Sequence, residues 1–174
     1  MALPKLVITD IDGVWTDGGM YYDQHGNEWK KFNTSDSAGV LFLKYLNIPL
    51  AILTGENTKI VKRRAEKLEI KHLYMGVNDK VSVALELCAK LRIGLSEVAF
   101  IGDDINDINL LKRVGFSGTP NNAPNYVKKT VDKVINVKGG DGAFRAFVEE
   151  ILERNNKFEF VLEKYLNKST TFNQ

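Results

Sequence analysis

The sequence predicts an α/β fold, a Rossmann-like open parallel sheet with helices on both faces and a β-hairpin inserted after the first strand. Three observations carry the prediction. Short, unbroken apolar runs alternate with longer segments of helical period, the pattern of strands buried on both faces of a parallel sheet. Polar residues gather just past the ends of those runs, where open α/β sheets bind ligands. The length of 174 residues suits one domain with one well-buried core.

The elements follow in order. Leu6-Val7-Ile8 reads as the first strand and ends in Thr9-Asp10. Residues 13–33 break the alternation: two aromatic runs flank Asp23-Gln24-His25-Gly26-Asn27, the signature of a hairpin with a longer loop. Ala38, Leu41, Phe42 and Tyr45 recur at helical spacing. Leu50-Ala51-Ile52-Leu53 is a strand ending in Thr54-Gly55, and Val61, Ala65 and Leu68 stripe a helix over 57–68. Leu73-Tyr74-Met75 is a strand ending at Gly76; Val81, Ala84, Leu85, Cys88 and Leu91 mark the next helix. Val98-Ala99-Phe100-Ile101 ends in Gly102-Asp103, and shorter runs follow at Gly115-Phe116-Ser117 and Val134-Ile135. Phe144, Phe147, Val148, Ile151 and Leu152 place a helix near 142–154, and Phe158, Val161, Leu162 and Tyr165 another. Right-handed crossovers join such strands. The polar end, 167–174, is expected to be mobile.

Composition narrows the function. The chain is 44% hydrophobic and 26% charged, with 24 Lys+Arg against 22 Asp+Glu and a net charge of +2. That balance argues against a nucleic-acid-binding arm or an acidic tail. No apolar run approaches the roughly 20 residues that span a bilayer, and the start lacks a signal-peptide pattern. Cys88 is the single cysteine, so neither an intrachain disulfide nor a Cys-based metal site is available. The expectation is a cytoplasmic protein without nucleic-acid or membrane partners.

Chemistry concentrates at the strand ends. Strand one delivers Asp10-Ile11-Asp12-Gly13, the next Thr54-Gly55-Glu56, and the strand at 98–101 delivers Gly102-Asp103-Asp104-Ile105-Asn106-Asp107. Lys80 opens the helix after the third strand. Crowded carboxylates repel unless a hard cation joins them, and oxygen-only ligands suit Mg²⁺. A carboxylate there can attack phosphorus to give an aspartyl-phosphate, which suggests Asp10. Asp12, two residues on, can protonate the leaving alcohol and then deprotonate water. Thr54 and the N–H of Gly55 can hold phosphate oxygens, with Lys80 balancing charge. Each feature alone has a plainer explanation: aspartates cap turns and helices, and lysines are usually solvated. Their order and shared location favour phosphoryl transfer.

In that order, Asp10-Ile11-Asp12-Gly13-Val14, Thr54-Gly55, Lys80 and Gly102-Asp103-Asp104-Ile105-Asn106-Asp107 resemble the four motifs of the haloacid dehalogenase superfamily. The second aspartate of the first motif favours its phosphatase branch. The Gly-Val-Trp-Thr-Asp-Gly segment from Gly13 and the stretch Lys138-Gly139-Gly140-Asp141-Gly142-Ala143-Phe144-Arg145 resemble a capless sugar-acid phosphatase group. Its members act on 3-deoxy-octulosonate 8-phosphate or 2-keto-3-deoxy-nononate 9-phosphate; the phosphatase-like module of CMP-sialic acid synthetases is also similar. The resemblance implies Asp10 as nucleophile and Mg²⁺ ligand, and Asp12 as acid/base with its carbonyl on the metal. It implies Asp103 as a further ligand, Asp107 at the metal as its orienter, and Lys80 on both phosphate and nucleophile. Gly13, Thr54, Gly55 and Lys80 would bind phosphate, and Asp104 would lie next to Lys80 or one layer outside the metal.

A sugar acid's carboxylate calls for a cationic partner. Arg64 and Lys67, three apart on one helix face, together with Glu56, are the expected substrate contacts, and they favour the nononate 9-phosphate over the octulosonate 8-phosphate. His25 and His72 read as surface residues, His72 lying just before a strand, and Cys88 as core. Arg145 is either a residue near the site or a salt-bridge partner. Trp15, Tyr21, Tyr22, Trp29 and Phe32 are numerous aromatics for a protruding hairpin, which invites a partner. The resemblance implies a homotetramer in which each hairpin roofs a neighbour's site, consistent with a chain too short for a cap domain. A receiver domain is disfavoured, because there the Thr and Lys follow a phosphorylated Asp in a middle strand. A non-catalytic assembly module is disfavoured because Asp10, Asp12, Thr54, Lys80, Asp103 and Asp107 are all retained.

Overall fold

The structure, a computed structural model, describes residues 2–170, the side chains of 168–170 excepted. Among the described residues, six parallel strands form one sheet: β1 (Leu6–Thr9), β4 (Leu50–Leu53), β5 (His72–Tyr74), β6 (Val98–Ile101), β7 (Phe116–Pro120) and β8 (Lys133–Ile135). Their order is β5-β4-β1-β6-β7-β8. The chain builds outward from β1 through β4 to β5, then returns to β6 on the other flank. The strand order therefore reverses between β1 and β6, the place where open α/β sheets open a crevice.

Alternation along the strands explains the unbroken apolar runs. Val7, Ile52 and Ile101 pack into a core with Val40, Leu43, Phe144 and Phe147. These come from α1 (Asp36–Tyr45) and α6 (Ala143–Arg154), and Val61 of α2 (Lys59–Lys67) joins them. Leu6, Ile8, Leu53 and Phe100 face the other side, against Ala84, Leu87 and Cys88 of α3 (Lys80–Leu91) and Leu110 and Leu111 of α4 (Ile108–Leu111). Successive residues point to opposite faces, so both must be apolar. The buried stripe of α3 is Ala84, Leu87 and Cys88; Leu85, expected inside, is 48% exposed because the stripe is rotated toward Leu87. Two more helices, α5 (Asn125–Lys128) and α7 (Phe158–Thr170), complete the layers. α4 and α5, four residues each, are too short to show a periodic stripe. The end expected to be mobile at 167–174 stays helical to Thr170, and 171–174 lie outside the described residues. No described helix is long and apolar enough to cross a membrane.

The hairpin is present as β2 (Tyr21–Tyr22) paired antiparallel with β3 (Glu28–Trp29), continued by a bridge between Thr16 and Phe32. Met20, Tyr21, Tyr22 and Trp29 are exposed on it. Trp15, expected among these aromatics, is instead fully buried and stacks on Phe144 at 4.5 Å. The amides of Val14, Trp15 and Thr16 all donate to the Ile11 carbonyl, a tight turn that brings the indole inward before the hairpin begins. Phe32 is half-buried against the same core. His72 opens β5 rather than preceding it.

Candidate active site

The crevice at the β1/β6 reversal is a cleft of about 280 Å³. Asp10 leaves β1 beside β6, its N–H donating to the Ile101 carbonyl at 3.0 Å. Its Oδ1 accepts the Ile11 N–H at 2.8 Å. Behind it, Trp15 Nε1 donates to Thr9 Oγ1, which donates to the Asp10 carbonyl, so the buried indole braces the strand end.

Lys80 reaches the same point from the first turn of α3. Asp79 caps that helix by accepting from the amides of Val81 and Ser82, which fixes where the lysine starts. Its ammonium, 1% exposed, lies 2.8 Å from Asp10 Oδ2 and 2.6 Å from Asp107 Oδ1. Asp107 Oδ2 accepts the N–H groups of Asp103 and Asp104 at 2.9 and 3.2 Å. Asp107 thus ties the loop after β6 to Lys80, the place also considered for Asp104. Asp104 is exposed and instead accepts from Ile105 N–H and Tyr126 Oη. The short 3₁₀ turn Ile105–Asp107 turns Asp107 inward. Gly102 is required by this arrangement, since a Cβ there would lie 2.4 Å from Asp107 Cγ.

The carboxylates are electrostatically uneasy without a cation. Burial, then the Asp107 charge, raises Asp10 to about 7 against the pull of Lys80. Burial, then the charges of Asp10, Asp107 and Asp104, raises Asp103 to about 8. Burial alone would lower the Lys80 pKa, but Asp10 and Asp107 overcome it and raise it. Asp10, Asp103 and Asp107 each offer an oxygen within 4.8 Å of the others. Asp103 Oδ1 is buried and has no hydrogen-bond partner among the described residues. An oxygen-only set with an unpaired buried oxygen fits Mg²⁺. Gly13 keeps the space open: at φ +81 it adopts a backbone that side chains disfavour, and a Cβ there would lie 1.9 Å from Asp103 Oδ2.

Of the expected residues, Asp10, Asp12, Gly13, Thr54, Gly55, Glu56 and Asp103 line the cleft, with Lys80 and Asp107 buried behind it. The Gly13 N–H is turned toward Thr16 Oγ1 at 3.3 Å, and Thr54 Oγ1 accepts the Glu56 N–H at 3.2 Å. Arg64 and Lys67 do not line it. Arg64 donates to the Asn33 carbonyl and Ser37 Oγ and lies 5.7 Å from the Phe32 ring, because α2 presents this face to the start of α1. Lys67 is exposed. Arg145 is the salt-bridge partner of the two roles considered, 2.7 Å from Glu149. Sequence reasoning missed Lys30, whose ammonium sits 2.6 Å from Asp12 Oδ1. Its only signal was alternation: Trp29 and Lys31 are exposed while the Lys30 side chain is 2% exposed.

Residues 76–147 match the family model described as haloacid dehalogenase-like hydrolase. The 3-deoxy-D-manno-octulosonate 8-phosphate phosphatase of Haemophilus influenzae is 37% identical over 88% of this chain and 85% of its own. The Moraxella catarrhalis enzyme of that name, solved with magnesium, phosphate and KDO, superposes with a TM-score of 0.89 at 36% identity, covering 93% of each chain. The cobalt-bound Haemophilus influenzae phosphatase superposes with a TM-score of 0.84 at 37% identity over 89% of this chain and 91% of its own. These relatives favour the octulosonate alternative over the nononate reading, which leaned on Glu56 together with Arg64 and Lys67. Sequence, sheet order and acidic cleft agree: the chain belongs to the haloacid dehalogenase-like hydrolases, within their phosphatase branch.

Proposed function

We propose that the chain is a Mg²⁺-dependent phosphatase for a 3-deoxy-D-manno-octulosonate 8-phosphate type of sugar-acid phosphate, acting through an aspartyl-phosphate on Asp10. The observation that carries this reading is the convergence of Asp10, Lys80, Asp103 and Asp107 at one crevice, with Asp12 beside them. The substrate class rests on the named relatives.

In this reading Asp10, Asp103 and the Asp12 carbonyl hold Mg²⁺, with Asp107 orienting them. The ion supplies charge neutralisation, letting an anionic carboxylate approach an anionic phosphoryl group. Thr54, Gly55 and Gly13 bound the phosphate position, and Lys80 lies against the nucleophile where charge develops. Asp10 attacks phosphorus, the P–O bond to the sugar breaks, and Asp12 gives its proton to the leaving oxygen. Water then attacks the Asp10 phosphate, passing a proton back to Asp12, and inorganic phosphate leaves. Glu56, on the cleft wall, is suited to accept hydroxyl protons of the sugar. The exposed hairpin side chains Met20, Tyr21, Tyr22 and Trp29 would pack on a second copy in the homotetramer that the resemblance implies.

A panel of sugar-acid phosphates assayed with Mg²⁺ tests the proposal. The octulosonate 8-phosphate should give the highest kcat/KM, and preference for the nononate 9-phosphate would overturn the substrate assignment. Absence of phosphate release from every member would overturn the activity.

A further inference from the structure

The hairpin brings one residue into the site that neither the motifs nor the mechanism above uses. Lys30 follows β3, and its side chain is 2% exposed. Its ammonium lies 2.6 Å from Asp12 Oδ1 and 3.9 Å from Glu28 Oε1. Asp12 Oδ1 has a second donor, the Thr16 hydroxyl at 3.2 Å. Thr16 Oγ1 itself accepts the N–H groups of Gly13 and Gly18, each at 3.3 Å. Those amides occupy its lone pairs, so its proton is committed to Asp12. Asp12 Oδ2 is buried and has no hydrogen-bond partner among the described residues, although the Asp12 side chain as a whole is 30% exposed and lines the cleft.

Two donors on one carboxylate oxygen fix the rotation of the carboxyl group. We infer that Lys30 is a positioning residue for Asp12: with Thr16 it holds Oδ1 and so fixes the carboxyl group that passes a proton to the leaving oxygen. The inference rests on the reading of Asp12 as acid and base. In the first half-reaction the Asp10–phosphorus bond forms, the phosphorus–alcohol bond breaks, and the proton on the Asp12 carboxyl moves to the departing oxygen. In the second, water returns a proton to the Asp12 carboxylate. The hairpin then has two duties: an outer face of exposed aromatics, and an inner lysine that sets the geometry of proton transfer. A tether joining hairpin to loop would need the Lys30–Asp12 pair, but not a second donor, the Thr16 hydroxyl, on the same oxygen.

The test compares an alkyl ester, octulosonate 8-phosphate, with p-nitrophenyl phosphate, whose phenolate departs without being protonated. Reported as kcat/KM, the comparison isolates the step that releases the alcohol and cancels effects on phosphate binding. K30M should lose on the order of 10²-fold on the alkyl ester, within the range of general-acid catalysis, and less than about threefold on the aryl ester. K30R should recover part of the alkyl activity, and K30Q repeats the test with a polar neutral side chain. Equal losses on both esters in K30M and K30Q, or no loss on either, would overturn the inference and leave Lys30 a tether. D12N separates the two levels of argument. Selective loss on the alkyl ester in D12N without it in K30M refutes the role of Lys30 alone, whereas D12N without selectivity refutes Asp12 as the acid.

Discussion

Replacing Lys80 with methionine removes the cation between two buried carboxylates. Its ammonium contacts Asp10 at 2.8 Å and Asp107 at 2.6 Å with 1% of the side chain exposed. At an effective dielectric of about 20, each contact carries roughly 6 kcal/mol of Coulomb attraction. Desolvation of the three charged groups offsets most of that, and breaking a buried pair from one side costs about 3–5 kcal/mol in practice. At roughly 2–4 °C per kcal/mol for a chain of this size, the metal-free K80M protein should melt about 6–20 °C lower. The deficit should also depend on pH. Lys80 lowers the Asp10 pKa, which burial and Asp107 already hold at about 7 against an ordinary 3.8. Without Lys80 the folded-state value rises further, so the folded form binds a proton over a wider range above pH 4 than the unfolded chain does. Stability then falls as pH rises through that range, and the deficit at pH 8 should exceed that at pH 5. Thermal melts of both metal-free proteins at the two values measure this. A deficit under about 1 kcal/mol, or one equal at both pH values, would refute the reasoning.

The same logic applies to the metal. Asp10 and Asp103 titrate near 7 and 8 when folded, so the metal-free protein should lose stability between pH 5.5 and pH 8. Mg²⁺ should raise the melting temperature more at pH 8, and an equal or larger shift at pH 5.5 would count against the site. Gly13→Ala should abolish most of that Mg²⁺-dependent shift, because its Cβ would displace Asp103; an unchanged shift would show the cleft tolerates it. Trp15→Ala should cost about 3–5 kcal/mol in urea unfolding, since it empties the stack on Phe144 and removes the bond to Thr9. Trp29→Ser should leave the core intact but lower the particle mass measured by light scattering, and an unchanged mass would argue against the hairpin as an assembly surface.

Much of the fold was legible because β1, β4 and β6 are buried on both faces, so their runs stand out against amphipathic neighbours. The positions of Asp10, Asp12, Thr54, Lys80 and Asp103 were legible from motif order together with the rule that ligands gather at strand ends. Other features depend on tertiary geometry that sequence does not encode locally. Trp15 reads as a hairpin aromatic until three amides converge on the Ile11 carbonyl and turn it inward. Arg64 lies on the helix face that was read, but that face meets Asn33 and Ser37 rather than the cleft. Asp104 and Asp107 are both acidic and three apart; only the 3₁₀ turn between them decides which meets Lys80. Lys30 sits in a two-residue alternation too brief to distinguish from a solvated basic pair.

The central claim is that Asp10 carries the phosphoryl group. Mixing the protein with Mg²⁺ and octulosonate 8-phosphate, quenching in acid within one turnover, and sequencing the peptides by mass spectrometry tests it directly. The account expects one added phosphoryl group on Asp10, absent from Asp10→Asn, which should also release no phosphate. A phosphoryl group trapped on another residue, or full turnover by Asp10→Asn, would contradict it.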